Sequence, residues 1–415
     1  MARLIGFLVM CFCVFEAVDA LANDFNKRQE RTVKEILHLY KTNSTFAKLF
    51  DQWEREKKEF ERKSNKFPCK PLPPSTEVPT SVHKLRPADV KVIGAVGDSL
   101  TAGRGAALGV VGLLIDFYEL SWSIGGVGSF KDMVTLPNII REYNPDVIGA
   151  SVSPYESVLN EAVSGAKSDG LLNQTITLVN EIKADSRIDF ESDWKVVTVF
   201  IGGNDLCAIC YDYDYYNPDN YIKRVQEGLD YLLENLPRTF INLVEVLNVE
   251  MVQELNNNIL CSAVHIYACD CAAFPKSKEE EAKIIEYRED YQEKLRELVK
   301  LERYHAKDDF EVVLQPFYRD TYPPYKAEGV LDLTYFASDC FHYSTKGQQA
   351  AAKALWNNMV EPVGSKRLDW HPDEELEKIP SSTQPRTVKN VGSFSSMLPL
   401  STMSIIRPIN LSYQK

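Results

Sequence analysis

Apolar positions along this chain follow two different rhythms. Short apolar runs occur at Val90–Val96, Val147–Val152, Lys195–Ile201, Phe240–Leu247 and Phe310–Leu314. Runs this short, rich in valine and isoleucine, predict strands buried on both faces. Between them lie stretches of helical period at Ser168–Ala184, Tyr221–Glu234, Lys278–Lys300 and Thr345–Met359. Strands that alternate with helices imply βαβ units and a parallel sheet sandwiched between helical layers. The expectation is therefore one α/β domain over residues 87–365, three-layered α/β/α, with a central parallel sheet of about five strands.

The flanks read differently. Residues 23–63 are strongly charged and helical in pattern, with apolar punctuation at Ile36, Leu37, Tyr40, Phe46, Leu49, Phe50, Trp53 and Phe60. The connector Phe67-Pro68-Cys69-Lys70-Pro71-Leu72-Pro73-Pro74 then breaks regular structure, so residues 23–86 are expected to be a helical extension with a Pro-rich linker. Residues 366–415 carry Ser, Pro and Thr without periodicity and are expected to be a poorly ordered tail. At the N-terminus, Arg3 precedes twelve uncharged, mostly apolar residues, Leu4 to Phe15, and small residues close the segment at Val18-Asp19-Ala20 and Ala20-Leu21-Ala22. That order predicts a secretory signal peptide over residues 1–22. Cleavage after Ala20 and cleavage after Ala22 remain equally open. Twelve residues of helix reach only about 18 Å, too short for a membrane anchor.

Cysteine usage fits export. Seven cysteines lie beyond residue 22: Cys69, Cys207, Cys210, Cys261, Cys269, Cys271 and Cys340. In an oxidising compartment most of them should pair, and the odd total leaves one over. Cys207 and Cys210 make a reasonable local pair. A zinc site would need a second ligand pair of similar spacing, which Cys269-x-Cys271 does not supply. Asn43, Asn173 and Asn410 open three Asn-x-Ser/Thr sequons. No apolar tail of the kind a GPI anchor requires closes the C-terminus.

Composition narrows the partners. Over 415 residues the chain is 44% hydrophobic and 26% charged, ordinary for a globular protein, and its formal charge is −12. An acidic surface without a basic stripe repels phosphate backbones, so nucleic acid is not an expected partner.

Candidate chemistry sits where predicted strands end. Val92–Val96 runs directly into Gly97-Asp98-Ser99-Leu100, which lifts Ser99 at the carboxyl end of the strand, the edge where open α/β sheets bind ligands. Gly-Asp-Ser is also ordinary turn and helix-cap chemistry. No Gly-x-Ser-x-Gly elbow occurs. Of six histidines, His342 alone follows a carboxylate at a useful spacing, in Asp339-Cys340-Phe341-His342. Three residues of separation put both side chains on one face of a turn, so Asp339 can fix the tautomer while the other ring nitrogen faces a nucleophile. A second strand ends in Gly202-Gly203-Asn204-Asp205, where Asn204 offers an amide to a developing oxyanion. Asn160-Glu161-Ala162-Val163-Ser164-Gly165 would present the Gly165 N–H to the same point.

Taken together, Ser99, Gly165, Asn204 and His342 with Asp339, in that chain order, resemble the signature blocks of the GDSL, or SGNH, hydrolase superfamily. The resemblance is closer to its phospholipase B-like branch, through Pro79–Asp89, Ser121–Gly126, Ile201–Cys207, Asp339–Ser344 and Leu355–Gly364, and it covers residues 79–370. One departure is Gly347-Gln348-Gln349, where Gly-His is expected.

The resemblance implies a flavodoxin-like SGNH fold. It also implies a secreted lipase that needs neither metal nor organic cofactor and meets phospholipid or other acyl-ester substrates at membrane or micelle surfaces. Ser99 would be nucleophile, His342 base and Asp339 its orienting acid, with an oxyanion hole from the Ser99 and Gly165 N–H groups and the Asn204 amide. Trp122, Gly125, Gly126 and the tyrosines of Tyr211–Tyr216 are candidate walls of an acyl groove. Two alternatives stay open: a carbohydrate or small-ester deacetylase on the same scaffold, and a catalytically silent lipid-binding protein. Oligomeric state is not legible.

Overall fold

A computed structural model describes residues 25–61, 64–262, 265, 269–326 and 329–376. The expected signal peptide and most of the expected tail lie outside the described residues.

Four strands form the sheet: β1 Val90–Gly97, β2 Trp194–Phe200, β3 Thr239–Val244 and β4 Phe310–Gln315. They lie side by side in sequence order, and every pair is parallel. Nearly every strand residue is buried, which explains why the runs read as continuously apolar rather than alternating. The helices that position the site are α1 (25–42), α2 Ser44–Glu61, α3 Ser99–Ala102, α4 Leu171–Ala184, α5 Gly203–Ala208, α6 Pro218–Asn235, α7 Lys278–Leu298 and α8 Thr345–Val360.

The layers follow from strand alternation. Gly94 of β1 faces Leu178 of α4. Its neighbour Ala95 points the other way, in register with Thr198 and, through it, with Asn242. Asn242 reaches Met359 of α8 on that opposite face. Helices α4, α6 and α7 pack side by side as one layer, as right-handed crossovers between sequential parallel strands require. Helix α8 packs against Leu136–Arg141 and α2 in the other layer.

The fifth predicted strand is a correction. Val147–Val152 meets β1 only through an isolated bridge, Val92 to Ile148, and a second bridge joins Ala95 to Asn160. Gly149 has φ +106° between them, and its space is filled by the Ile93 carbonyl, so the chain leaves the ladder there and rejoins it later. The sheet therefore has four strands among the described residues, with a broken fifth edge.

The N-terminal helices do not stand apart from the domain. Ile36, Phe46, Phe50 and Trp53 are buried, and the Trp53 indole donates to the Leu333 carbonyl at 2.8 Å. Asn43 separates α1 from α2, its side chain accepting from the Phe46 N–H. At the other end, Trp370 is buried against Tyr318, Tyr335 and Tyr343.

Disulfide pairing also corrects the local expectation. The bonds are Cys207–Cys269, Cys210–Cys271 and Cys261–Cys340, and Cys69 is free. Cys207 and Cys210, three apart on one turn, both face the 269–271 segment lying across them, so they pair outward rather than with each other. Each bond closes a loop of 61 to 79 residues. Chain-entropy estimates put such closure at roughly 4 kcal/mol apiece. Non-reducing peptide mapping should recover these three cross-links, with Cys69 the only alkylatable thiol after residue 22. A Cys207–Cys210 peptide would overturn the pairing.

Candidate active site

Three carboxyl-terminal strand edges and one turn build the site. At the exit of β1, the Gly97 N–H donates to Gln174 Oε1 at 2.7 Å and the Gln174 amide donates back to the Gly97 carbonyl at 2.9 Å. A side chain at Gly97 would strike the Phe200 carbonyl 2.5 Å away, so only glycine lets β1 and β2 approach this closely before the turn. Asp98 then caps α3 by accepting the Leu100 N–H at 3.0 Å, and Ser99 is the first helical residue.

The 339–342 turn supplies the other half. Asp339 Oδ1 accepts the N–H groups of Phe341 and His342, both at 3.0 Å, which holds the turn with Cys340 at φ +56°. Asp339 Oδ2 lies 2.6 Å from His342 Nδ1. A carboxylate there assigns the ring proton to Nδ1 and leaves Nε2 as an acceptor. The Ser99 hydroxyl lies 2.8 Å from that Nε2, across 243 residues of chain. Serine, histidine and aspartate thus form one continuous hydrogen-bond chain. Burial pushes the Asp339 carboxyl up, but the adjacent imidazole and its three hydrogen bonds outweigh it and bring it down to about 2.

Asn204 and Gly165 come together by a separate route. Asn204, in the first turn of α5, donates one amide hydrogen to the Ala166 carbonyl at 2.9 Å, which leaves the second uncommitted among the described residues. The rejoining edge segment carries Gly165 past the end of β1, where the Val163 N–H donates to the Gly97 carbonyl at 3.2 Å. Gly165 has φ +83°, a conformation that favours glycine. Among the described residues, its N–H has no hydrogen-bond partner.

The apolar wall is not where the sequence reading put it. Trp122 is fully buried core, packed on Phe200, Phe317 and Tyr318. A small apolar depression of about 20 Å³, room for about one water molecule, lies beside Ser99 and Asn204 and is instead lined by Leu247, Val249, Met251, Val252, Leu255 and Phe336. Leu247 to Leu255 follow β3, where the apolar run Phe240–Leu247 continues into the short helical turns Val249–Met251 and Val252–Leu255. That continuation past a plausible strand length was the available signal. The departure at Gln348 is structural: its buried amide accepts the Trp122 N–H at 3.0 Å and reaches the Leu100 carbonyl at 3.5 Å, tethering the turn that carries Ser99. Among the described residues, no group of three or more His, Cys, Asp or Glu side chains is placed to hold a metal.

Comparison with known proteins gives consistent matches. A family model described as GDSL-like lipase/acylhydrolase matches residues 93–355. The membrane-associated phospholipase B1 of Mus musculus is 43% identical over 317 residues, 74% of this chain and 21% of that protein. Its Homo sapiens counterpart is 42% identical over 345 residues, 79% of this chain and 24% of that protein. The chain thus spans about a quarter of the length of the curated relatives it matches. Among solved structures, a GDSL-like lipase described as putative, from Parabacteroides merdae, aligns with 65% of this chain and 94% of its own at 17% identity, TM-score 0.34. An acetyl xylan esterase variant from Geobacillus stearothermophilus aligns over the same shares at 15% identity, TM-score 0.30.

Asp98 tests the electrostatics of the site. Burial pushes its carboxyl from 3.8 up to about 7, opposed by the Leu100 N–H and His342 and assisted by the nearby Asp205. The folded state therefore holds this proton more tightly than the unfolded chain, so stability falls as pH rises from about 4 to about 7. Asp98→Asn keeps the capping oxygen and removes the buried charge. Its melting temperature should exceed that of wild type at pH 8 by a few degrees, and the gap should shrink toward pH 5. An equal or lower melting temperature at pH 8 would contradict this account.

Proposed function

The chain belongs to the GDSL-like lipase/acylhydrolase family, and on that premise we propose that it is a secreted serine ester hydrolase cleaving fatty-acyl esters of phospholipids or lysophospholipids. The observation that carries the reading is the Ser99–His342–Asp339 hydrogen-bond chain lying against an apolar wall. The similarity to the membrane-associated phospholipases B1 supports the lipid substrate. The signal-like N-terminus and three disulfides support export.

The chemistry follows from the geometry. His342 Nε2 takes the Ser99 proton as Oγ attacks the ester carbonyl, and Asp339 stabilises the imidazolium that results. The tetrahedral oxyanion is met by the Ser99 and Gly165 N–H groups and by the free hydrogen of the Asn204 amide, each worth roughly 3 kcal/mol of barrier. As the bond to the leaving oxygen breaks, His342 returns the proton to it. Water, deprotonated by the same imidazole, then releases the fatty acid from Ser99. The acyl chain lies along the apolar wall of Leu247, Val249, Met251, Val252 and Leu255, which parts to admit it. Contact with a lipid surface is supported by exposed Leu108, Val111, Tyr211 and Tyr325, on the loops and short helices that follow β1, β2 and β4.

Two measurements test this reading. Phosphatidylcholine labelled differently in its two acyl chains should release labelled fatty acid with wild-type protein and none with Ser99→Ala. Asn204→Ala should lower kcat by roughly 10²–10³ with KM little changed, because the donor acts mainly in the transition state. A folded, fully active Asn204→Ala protein would remove this residue from the mechanism.

A further inference from the structure

The catalytic groups of this site are closed off. Ser99 is 2% exposed, and Asp339 and His342 are each 1% exposed. With Ser99 so little exposed, the groups around it must part to admit an ester, and two rings stand edge-on to the imidazole: Phe341, its neighbour in the same turn, with centroids 5.1 Å apart, and Phe25 from outside the turn. Phe25, the first described residue of α1, sets its ring edge-on to the His342 imidazole, centroids 6.2 Å apart and planes at 89°. The same ring lies against Gly165, so close that a Cβ on that glycine would stand 2.8 Å from two of its carbons. Phe25 thus spans the base and the glycine with the uncommitted N–H.

A latch holds the ring there. The Asn26 side chain accepts from Arg104 Nη2 at 3.0 Å, and the Arg104 guanidinium lies 5.4 Å from the Phe25 ring centroid. Arg104 is itself buried and paired with Asp116 at 3.3 Å, and the Ser164 hydroxyl donates to the same carboxylate at 2.6 Å. The latch therefore joins the start of α1 to the loop after Ser99 and to the residue before Gly165. Phe25 is only half-buried, and the first fully buried apolar side chain of α1 is Ile36. Fraying one or two turns at a helix end withdraws the ring without disturbing that apolar packing, and helix ends are the cheapest part of a helix to open.

We propose that Phe25 is a gate that sets which esters this site accepts, by covering the His342 imidazole and the Gly165 N–H together. A small ester asks for little displacement of the ring. The glycerophosphate remainder of a phospholipid requires the ring to swing out. This inference rests on the reading of Ser99 as the nucleophile of an ester hydrolase.

The experiment compares kcat/KM for p-nitrophenyl acetate and for phosphatidylcholine in mixed micelles across wild type, Phe25→Ala, Phe25→Trp and Asn26→Ala, with melting temperature measured for each. Phe25→Ala should raise the phosphatidylcholine-to-acetate ratio about five- to tenfold. Asn26→Ala should shift it the same way by less, and Phe25→Trp should lower it. Ratios within twofold of wild type for both Phe25 variants, with Ser99→Ala inactive on both esters, would overturn the gate and leave the nucleophile standing. A wild-type protein that cleaves neither ester would overturn the hydrolase reading and the gate with it.

Discussion

Asp339 holds an ionised carboxylate almost completely away from water, and the site is arranged around keeping it so. Removing a carboxylate from solvent is expensive unless its oxygens are matched by donors. Here one oxygen takes two backbone N–H groups of its own turn and the other takes the His342 ring N–H. Satisfying the carboxylate is therefore what fixes the imidazole in orientation and tautomer, and the imidazole in turn finds Ser99. Breaking any link leaves a buried charge or ring nitrogen without a partner, so the three side chains stand or fall as one unit.

That unit depends on the sheet for its placement. Parallel strands deliver their carboxyl ends to one edge, so the turn after β1 and the turn after β2 bring Ser99 and Asn204 to the same cleft. The 339–342 turn comes from a long irregular segment after β4, which has no strand to hold it. It is tied down by covalent and polar means: the Cys261–Cys340 bond, Trp53 donating to the Leu333 carbonyl, and the Ser338 hydroxyl donating to Glu54 at 2.9 Å. Helix α2 thus braces the segment that carries Asp339 and His342, and Phe25 of α1 stands edge-on to the His342 ring. The N-terminal helices belong to the site's architecture as much as the sheet does.

Much of this was legible in the residues, for physical reasons that also set the limit. Strands buried on both faces read as apolar runs, so β1 to β4 were visible. The run at Val147–Val152 carries the same signal but also Gly149, whose positive φ lets the chain leave the ladder. The spacing of Asp339 and His342 encodes a local turn, and local geometry can be read from spacing. Contacts between distant segments cannot. Nothing in Cys207-x-x-Cys210 announces that both sulfurs face residues 269–271. The cavity wall after β3 and the approach of Phe25 to Gly165 depend likewise on how separate segments pack.

The central claim is that Ser99, activated through His342 and Asp339, attacks acyl carbonyls. Its most direct test is covalent labelling of the intact protein with an alkyl fluorophosphonate, followed by proteolysis and mass spectrometry of the modified peptide. The account predicts a single phosphonylated residue, Ser99, with labelling slowed at least a hundredfold in His342→Ala at unchanged far-UV circular dichroism. Modification at a different serine, or a folded protein that takes up no label at all, would contradict it.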